Sequence, residues 1–202
     1  MWAAALISAA FTVDTVRQAM GPAFAVIPAN GRLARTVRWV VSLHDTRLTW
    51  EETLTTVAEE TAGVGSIHTI PDAAVLTAEL LYGDGDFTRS ITLTVRGCLD
   101  TDSNGAKAGS VAEVLNGAET IPAQRKEPLE DRVRSAVFGF DGSRISELAE
   151  RTVRWWGRRG LAEGVRRGGW EPGKPTRAEG AAGGAVTYSP GPQPPFAVTT
   201  TG

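Results

Sequence analysis

The segment Asp100-Thr101-Asp102-Ser103-Asn104-Gly105, followed by the small-residue run Ala106-Lys107-Ala108-Gly109-Ser110, sets two carboxylates and a hydroxyl at i, i+2 and i+3. If the chain is extended there, Asp100 and Asp102 aim to one side and converge with Ser103 on a single hard cation. An oxygen-only donor set of this kind suits magnesium or calcium better than zinc. A helical pattern follows at once. Asp102 or Ser103 is therefore placed to cap its first free N–H groups, and the positive end of the helix favours a bound anion such as a diphosphate.

Two other readings fit the same residues. Asp100-x-Asp102-x-Asn104-Gly105 matches the opening half of a calcium-binding EF-hand loop, but that loop requires a bidentate carboxylate at its twelfth position, which is Val111 here. A polar helix cap, with carboxylates that hold only backbone N–H groups and water, is ordinary turn chemistry.

The elements that must position this loop read as helices. Trp2 to Phe11 is a small-residue helix, and Thr12 is expected to cap a second one that is disturbed at Gly21-Pro22. Leu33, Val37, Val40 and Val41 form an i, i+4, i+7, i+8 apolar stripe. Thr49-x-x-Glu52 is a capping-box pattern, and Pro71 suits the start of a helix over 73–81. Asp84 and Asp86 flank Gly85 in a turn that begins the next helix. Ile91 to Val95 alternates strictly and carries two threonines, a strand signature. Helices over 104–115 and 143–156 complete the body.

A length of 202 residues with 42% apolar content supports one ordinary core. The single cysteine, Cys98, excludes an internal disulfide, fits a reducing compartment and is expected to be a buried thiol beside the loop. The apolar opening lacks a basic flank, since the first positive residue is Arg17, and it is too short to span a bilayer. Residues 1–150 hold 13 Lys/Arg against 20 Asp/Glu, whereas 151–202 hold 8 against 3. From Gly157 onward 17 of 46 residues are Gly or Pro, so 157–202 is expected to be a disordered tail behind a helical domain over 1–156. Arg151, Arg154, Arg158, Arg159, Arg166 and Arg167, interspersed with Trp155, Trp156 and Trp170, could meet nucleic acid or an acidic surface, but no nucleic-acid fold accompanies them, and a solvated tail is the favoured reading. No Gly-x-Ser-x-Gly, P-loop or zinc spacing occurs.

Several further segments carry a resemblance: Val26-Ile27-Pro28-Ala29-Asn30-x-Arg32-Leu33-Ala34, His68-Thr69-Ile70, Leu80-Leu81-Tyr82-Gly83-Asp84-Gly85-Asp86-Phe87, the Asp100 loop, Ala108-Gly109-Ser110-Val111-Ala112, and Ile145-x-x-Leu148-Ala149-x-Arg151-Thr152. In their order and spacing the chain resembles the C-terminal part of the ADP-ribosylglycohydrolase family. The resemblance implies an all-α, compact orthogonal multi-helix bundle, and it decides Ile91 to Val95 as helix. It assigns Asp100, Asp102 and Ser103 as ligands of one half of a two-magnesium site, with Mn2+ as a substitute, and makes Asp100 and Asp102 catalytic. The other half would come from an upstream Thr-Asp-Asp-Thr element; no Asp-Asp pair occurs in the sequence, so the chain is expected to be N-terminally truncated, with Met1 an internal residue of a longer ancestor. His68, Asn104 and Gly105 are expected to face the ribose or diphosphate. Cys98 and Leu99 follow Gly97 where a second glycine is usual, and Lys107 and Glu79 interrupt small or apolar runs.

The leading expectation is a cytoplasmic, magnesium-dependent hydrolase of ADP-ribosylated proteins or small molecules, inactive or weakly active as this chain and prone to self-association through uncovered helix faces. The alternatives are a non-catalytic ADP-ribose-binding or interaction remnant and a calcium-binding structural module. Nucleic-acid and membrane partners are not expected.

Overall fold

The computed structural model describes residues 1–65 and 67–158. Apart from the last helical residues, the tail expected from Gly157 lies outside the described residues. These are all-α in character, with nine α-helices and one two-stranded sheet. They divide into two compact units, the first over Met1–Asn116 and the second beginning at Gly117, inside the span expected to be one domain.

The first unit is built around α5 (Thr69–Gly83). Its sequence is small or apolar on every side, and a helix without a polar stripe has to be surrounded. Every residue from Ile70 to Leu81 is buried. Around it stand α1 (Trp2–Ala10), α2 (Val16–Ala25), α3 (Arg32–Asp45), α4 (Trp50–Glu60), α6 (Phe87–Gly97) and α7 (Thr101–Asn116). One apolar cluster joins Trp2, Leu6, Met20, Val37, Leu76 and Val111; the other joins Val40, Trp50, Val57, Val75 and Leu93. The α3 stripe performs as its spacing predicts, with Val37, Val40 and Val41 buried and Leu33 packed at the edge of the first cluster.

Most local signals match the observed helix ends, and the cap of α2 is displaced. The Thr49–Glu52 capping box opens α4. The cap of α2 is Thr15 rather than Thr12, because Gln18, three residues after Thr15, returns a side-chain bond to the cap N–H. Thr12 instead donates its hydroxyl to the Ala9 carbonyl at the end of α1. Pro22 lies inside α2, which ends three residues later. His44, at the end of α3, is half-buried edge-on against the Tyr82 ring.

Helix α6 contains the segment with strand-like alternation. Ser90, Leu93, Thr94 and Gly97 are its buried positions, which is a helical period, and the hydroxyls of Thr92 and Thr94 bond back to the carbonyls of Thr88 and Ser90. At its end Gly97 lets α6 close on α5. A Cβ there would lie 2.8 Å from Val75 Cγ1 and 3.0 Å from Glu79 Oε1.

The second unit begins with short turns and a four-residue helix, α8 (Ala123–Lys126). Strands β1 (Arg132–Val133) and β2 (Ser143–Arg144) pair antiparallel, Arg132 with Arg144 and Val133 with Ser143, and lead into α9 (Ile145–Arg158). No residue over 117–155 is buried. Polar bonds organise the unit: Asp131 accepts from the Ser146 N–H at 2.9 Å, the Ser146 hydroxyl at 2.6 Å and Arg144 Nε at 2.9 Å, which ties β2 to the start of α9.

Candidate functional site

The loop between α6 and α7 turns on two non-glycine residues with left-handed backbone, Cys98 at φ 57° and Leu99 at φ 63°. Cys98 also has ψ −149°, a combination that glycine alone adopts readily. Its thiol is exposed, not buried as expected, because the turn lies outside the packed faces of both helices. Where the sequence suggested a second glycine, the chain thus keeps a glycine-like conformation without one.

Helix α7 starts earlier than expected. Its first residue is Thr101, and the Asn104 N–H bonds to the Asp100 carbonyl at 2.9 Å. Asp102 and Ser103 are therefore within the first turn rather than in an extended lead-in. Asp100 and Asp102 stay side by side at the helix N-terminus, close enough for the Asp100 side chain to act on the Asp102 carboxyl. The Asp100 side chain is the main cause holding Asp102 below the usual carboxylate range, followed by the N–H groups of Ser103 and of Asp102 itself, with Lys107 contributing. Two carboxyls this close repel unless a proton or a cation lies between them. Ser103, the next residue, is half-buried.

The remaining expected residues divide. His68 caps α5, its Nδ1 accepting the Ile70 N–H at 3.2 Å, and the residue is exposed. Asn104 is fully buried and turned inward: Nδ2 donates to the Asp72 carbonyl at 3.4 Å, and Oδ1 accepts from Lys107 Nζ at 3.2 Å. It bridges α5 and α7. Gly105 faces α6, where a Cβ would stand 3.6 Å from Thr94 Cγ2.

Two carboxyls of α5 that sequence reasoning did not place at the site are buried next to it. Asp72 is 8% exposed, lies near the Asp100 backbone and leaves Oδ1 without a partner. Burial, then the Asp100 charge, pushes its carboxyl upward against the opposing effects of Lys107 and His68. Glu79, two turns further along α5, is fully buried; Oε2 accepts from the Thr94 hydroxyl at 3.1 Å and Oε1 has no partner. Burial pushes it up to about 7, with Thr94 and Lys107 opposing. The available signal was the same for both: an acid within an otherwise small and apolar helical run.

Among the described residues no group of three or more acidic, histidine or cysteine side chains is arranged to hold a metal ion. The loop itself offers two adjacent carboxyls and one hydroxyl, which could hold a single hard cation completed by water. A separate groove of about 580 Å³ lies between the start of α4 and the outer face of α6, walled by Trp50, Tyr82, Arg89 and Arg96, and includes no loop residue. No helix of the described residues is long and apolar enough to cross a membrane.

Comparison with known proteins agrees with the helical architecture. The family model described as ADP-ribosylglycohydrolase matches residues 1–178. No curated protein and no solved structure matches the chain.

Proposed function

The chain belongs to the ADP-ribosylglycohydrolase family, and on that premise we propose that it acts on the glycosidic bond between ADP-ribose and a modified protein or small molecule. The observation that carries the reading is the placement of Asp100, Asp102 and Ser103 side by side at the N-terminus of α7. With Ser103 they would hold one magnesium or manganese ion. When bound, such an ion supplies Lewis-acid polarisation of the ribose hydroxyls and a more acidic water.

The chain's own groups do the rest of the positioning. Asp100 and Asp102 orient the ribose side of the ligand, and the free N–H groups of the first turn of α7 favour the diphosphate. Because His68 Nδ1 accepts from Ile70, its neutral ring carries the proton on Nε2 and can donate to a ribose or phosphate oxygen. Asn104 and Gly105 contribute through packing and through the backbone, since the Asn104 amide is engaged inside the protein. An exposed free thiol at Cys98 suits a reducing, cytoplasmic setting.

The small donor set favours a second reading, in which the site retains ADP-ribose without cleaving it. Titration calorimetry with Mn2+ on the full chain and on Asp102→Ala tests the cation site, and release of ADP-ribose from an ADP-ribosylated protein tests hydrolysis. We expect modest Mn2+ affinity that Asp102→Ala removes. Equal heats from both proteins would take the loop out of the cation site, and turnover indifferent to a chelator would refute metal dependence.

A further inference from the structure

Arg89 stands in the first turn of α6, where the positive end of the helix disfavours a guanidinium, and its side chain makes no hydrogen bond or ion pair among the described residues. The nearby Asp86 carboxylate serves the helix end instead, accepting the Arg89 backbone N–H at 2.6 Å. Two turns further on, about 10 Å along the axis, Arg96 lines the same groove between α4 and α6 and pairs with Glu51 at the start of α4. Both side chains of that pair are more than half exposed, so it is weakly held. Thr88 and Thr92 line the groove as well; the Thr92 hydroxyl donates to the Thr88 carbonyl, whereas the Thr88 hydroxyl has no partner among the described residues. The aromatic lining is fixed in advance. Trp50 is the first residue of α4, behind the Thr49–Glu52 capping box, and its ring meets Tyr82 edge-on at 5.9 Å. Tyr82 is held in turn by the Leu48 carbonyl at 2.6 Å and the Thr53 hydroxyl at 2.7 Å.

We propose that this groove binds a small organic phosphate, a phosphomonoester on a planar ring, with the phosphate shared by Arg89, Arg96 and the Thr88 hydroxyl and the ring set against Trp50 and Tyr82. Charge decides between phosphate and carboxylate. A monocarboxylate would only replace Glu51 at Arg96 like for like, whereas a phosphomonoester carries a charge of about −1.5 to −2 at neutral pH and has oxygens enough for both guanidinium forks. Size points to more than the anion: the groove encloses about 580 Å³, within the range of small-molecule sites. No loop residue lines it, so the inference stands apart from the cation site proposed above.

The test is titration of the full chain with phenyl phosphate, inorganic phosphate and phenol at neutral pH, read by calorimetry and by the indole N–H proton resonance of Trp50, which Trp50→Phe identifies. Phenyl phosphate is expected to bind and to shift that resonance, inorganic phosphate to bind at least about tenfold more weakly, and phenol not to bind. Arg89→Gln and Arg96→Gln each remove a charge-assisted hydrogen bond and are expected to weaken phenyl phosphate at least about tenfold. Glu51→Gln removes the internal competitor for Arg96 and is expected to tighten binding. If Arg96→Gln folds poorly by circular dichroism, Arg89→Gln, whose side chain has no partner to lose, decides the matter. Equal binding of phenyl phosphate and inorganic phosphate would mean adventitious anion contact only and would overturn the proposal, as would undetectable binding or an affinity unchanged in Arg89→Gln. If affinity survives in Arg89→Gln but changes in Asp102→Ala, the phosphate sits at the start of α7; the groove is then refuted while the loop reading stands.

Discussion

Glu79→Gln is expected to change how stability depends on pH. The Glu79 carboxyl is fully buried between α5 and α6, with the Thr94 hydroxyl as its one hydrogen-bond partner, and burial raises it from an ordinary 4.5 to about 7. The folded state therefore holds this proton more tightly than the unfolded chain does. The resulting stabilisation is fully present below pH 4.5, declines as pH rises and is lost above about 7. At about 1.4 kcal/mol for each tenfold difference in proton affinity, the amount lost is on the order of 3 kcal/mol. A glutamine at this position keeps an acceptor for Thr94 and cannot ionise, so its contribution should be flat over the same range. Urea denaturation of both proteins at pH 5 and pH 8 measures this directly. Because His44 and Asp72 also shift, in opposite directions for a base and an acid that are both penalised by burial, the difference between wild type and Glu79→Gln is the informative quantity. The variant should gain relative to wild type by roughly 2–3 kcal/mol on going from pH 5 to pH 8. Identical pH dependence in the two proteins would show that Glu79 is hydrated or already ionised in the fold, and the burial reasoning would fall.

Four further outcomes are expected. Cys98→Gly should stabilise the protein by about 1 kcal/mol in a thermal or urea melt, since relief of a backbone conformation costing roughly 1–3 kcal/mol outweighs the added freedom of glycine in the unfolded chain; a fall in melting temperature would contradict this. The native Cys98 thiol should also titrate rapidly with a disulfide reagent before any denaturant is added, and a slow reaction would mean that it is shielded. Gly97→Ala should destabilise by about 1–3 kcal/mol, because the added methyl meets Val75 and Glu79 at the α5–α6 contact, and an unchanged urea midpoint would show that the contact yields. In the second unit, Asp131→Ala should speed amide hydrogen exchange at Ser146, whose N–H it holds; the hydrogen bonds of Ser146 and Arg144 keep Asp131 down at about 2, so wild-type protection should persist above pH 3.8 and fade as pH falls toward about 2.

How far the sequence reaches is clearest at the helix ends. Capping is decided by residues three or four apart, so Thr49 with Glu52 could be read directly, and Thr15 with Gln18 offered a better pair than the Thr12 chosen from sequence. The alternation over Ile91–Val95 misled as a local pattern, because its threonines spend their hydroxyls on the helix backbone and the packed face repeats with a helical period. The loop from Asp100 to Gly105 was legible as chemistry because its acids are neighbours in the chain, and the same proximity keeps them side by side at the start of α7 even though Asp102 is helical rather than extended.

What the sequence determined by itself is thus the helical character, most cap positions and the identity of the acidic loop, all set by interactions within a turn or two. Tertiary structure decided what surrounds that loop. Asp72 and Glu79 are remote from Asp100 and Lys107 in the chain, and Asp72 comes under the influence of both and Glu79 of Lys107 only because α5, small and apolar on every side, must be enclosed by α6 and α7. Enclosure removes water from two carboxyls, turns Asn104 inward as a bridge and leaves a lysine among acids, whereas the turn at Cys98, having no face to pack against, carries its thiol to the surface. Burial is a property of neighbours from elsewhere in the chain, and no spacing rule within one segment can report it.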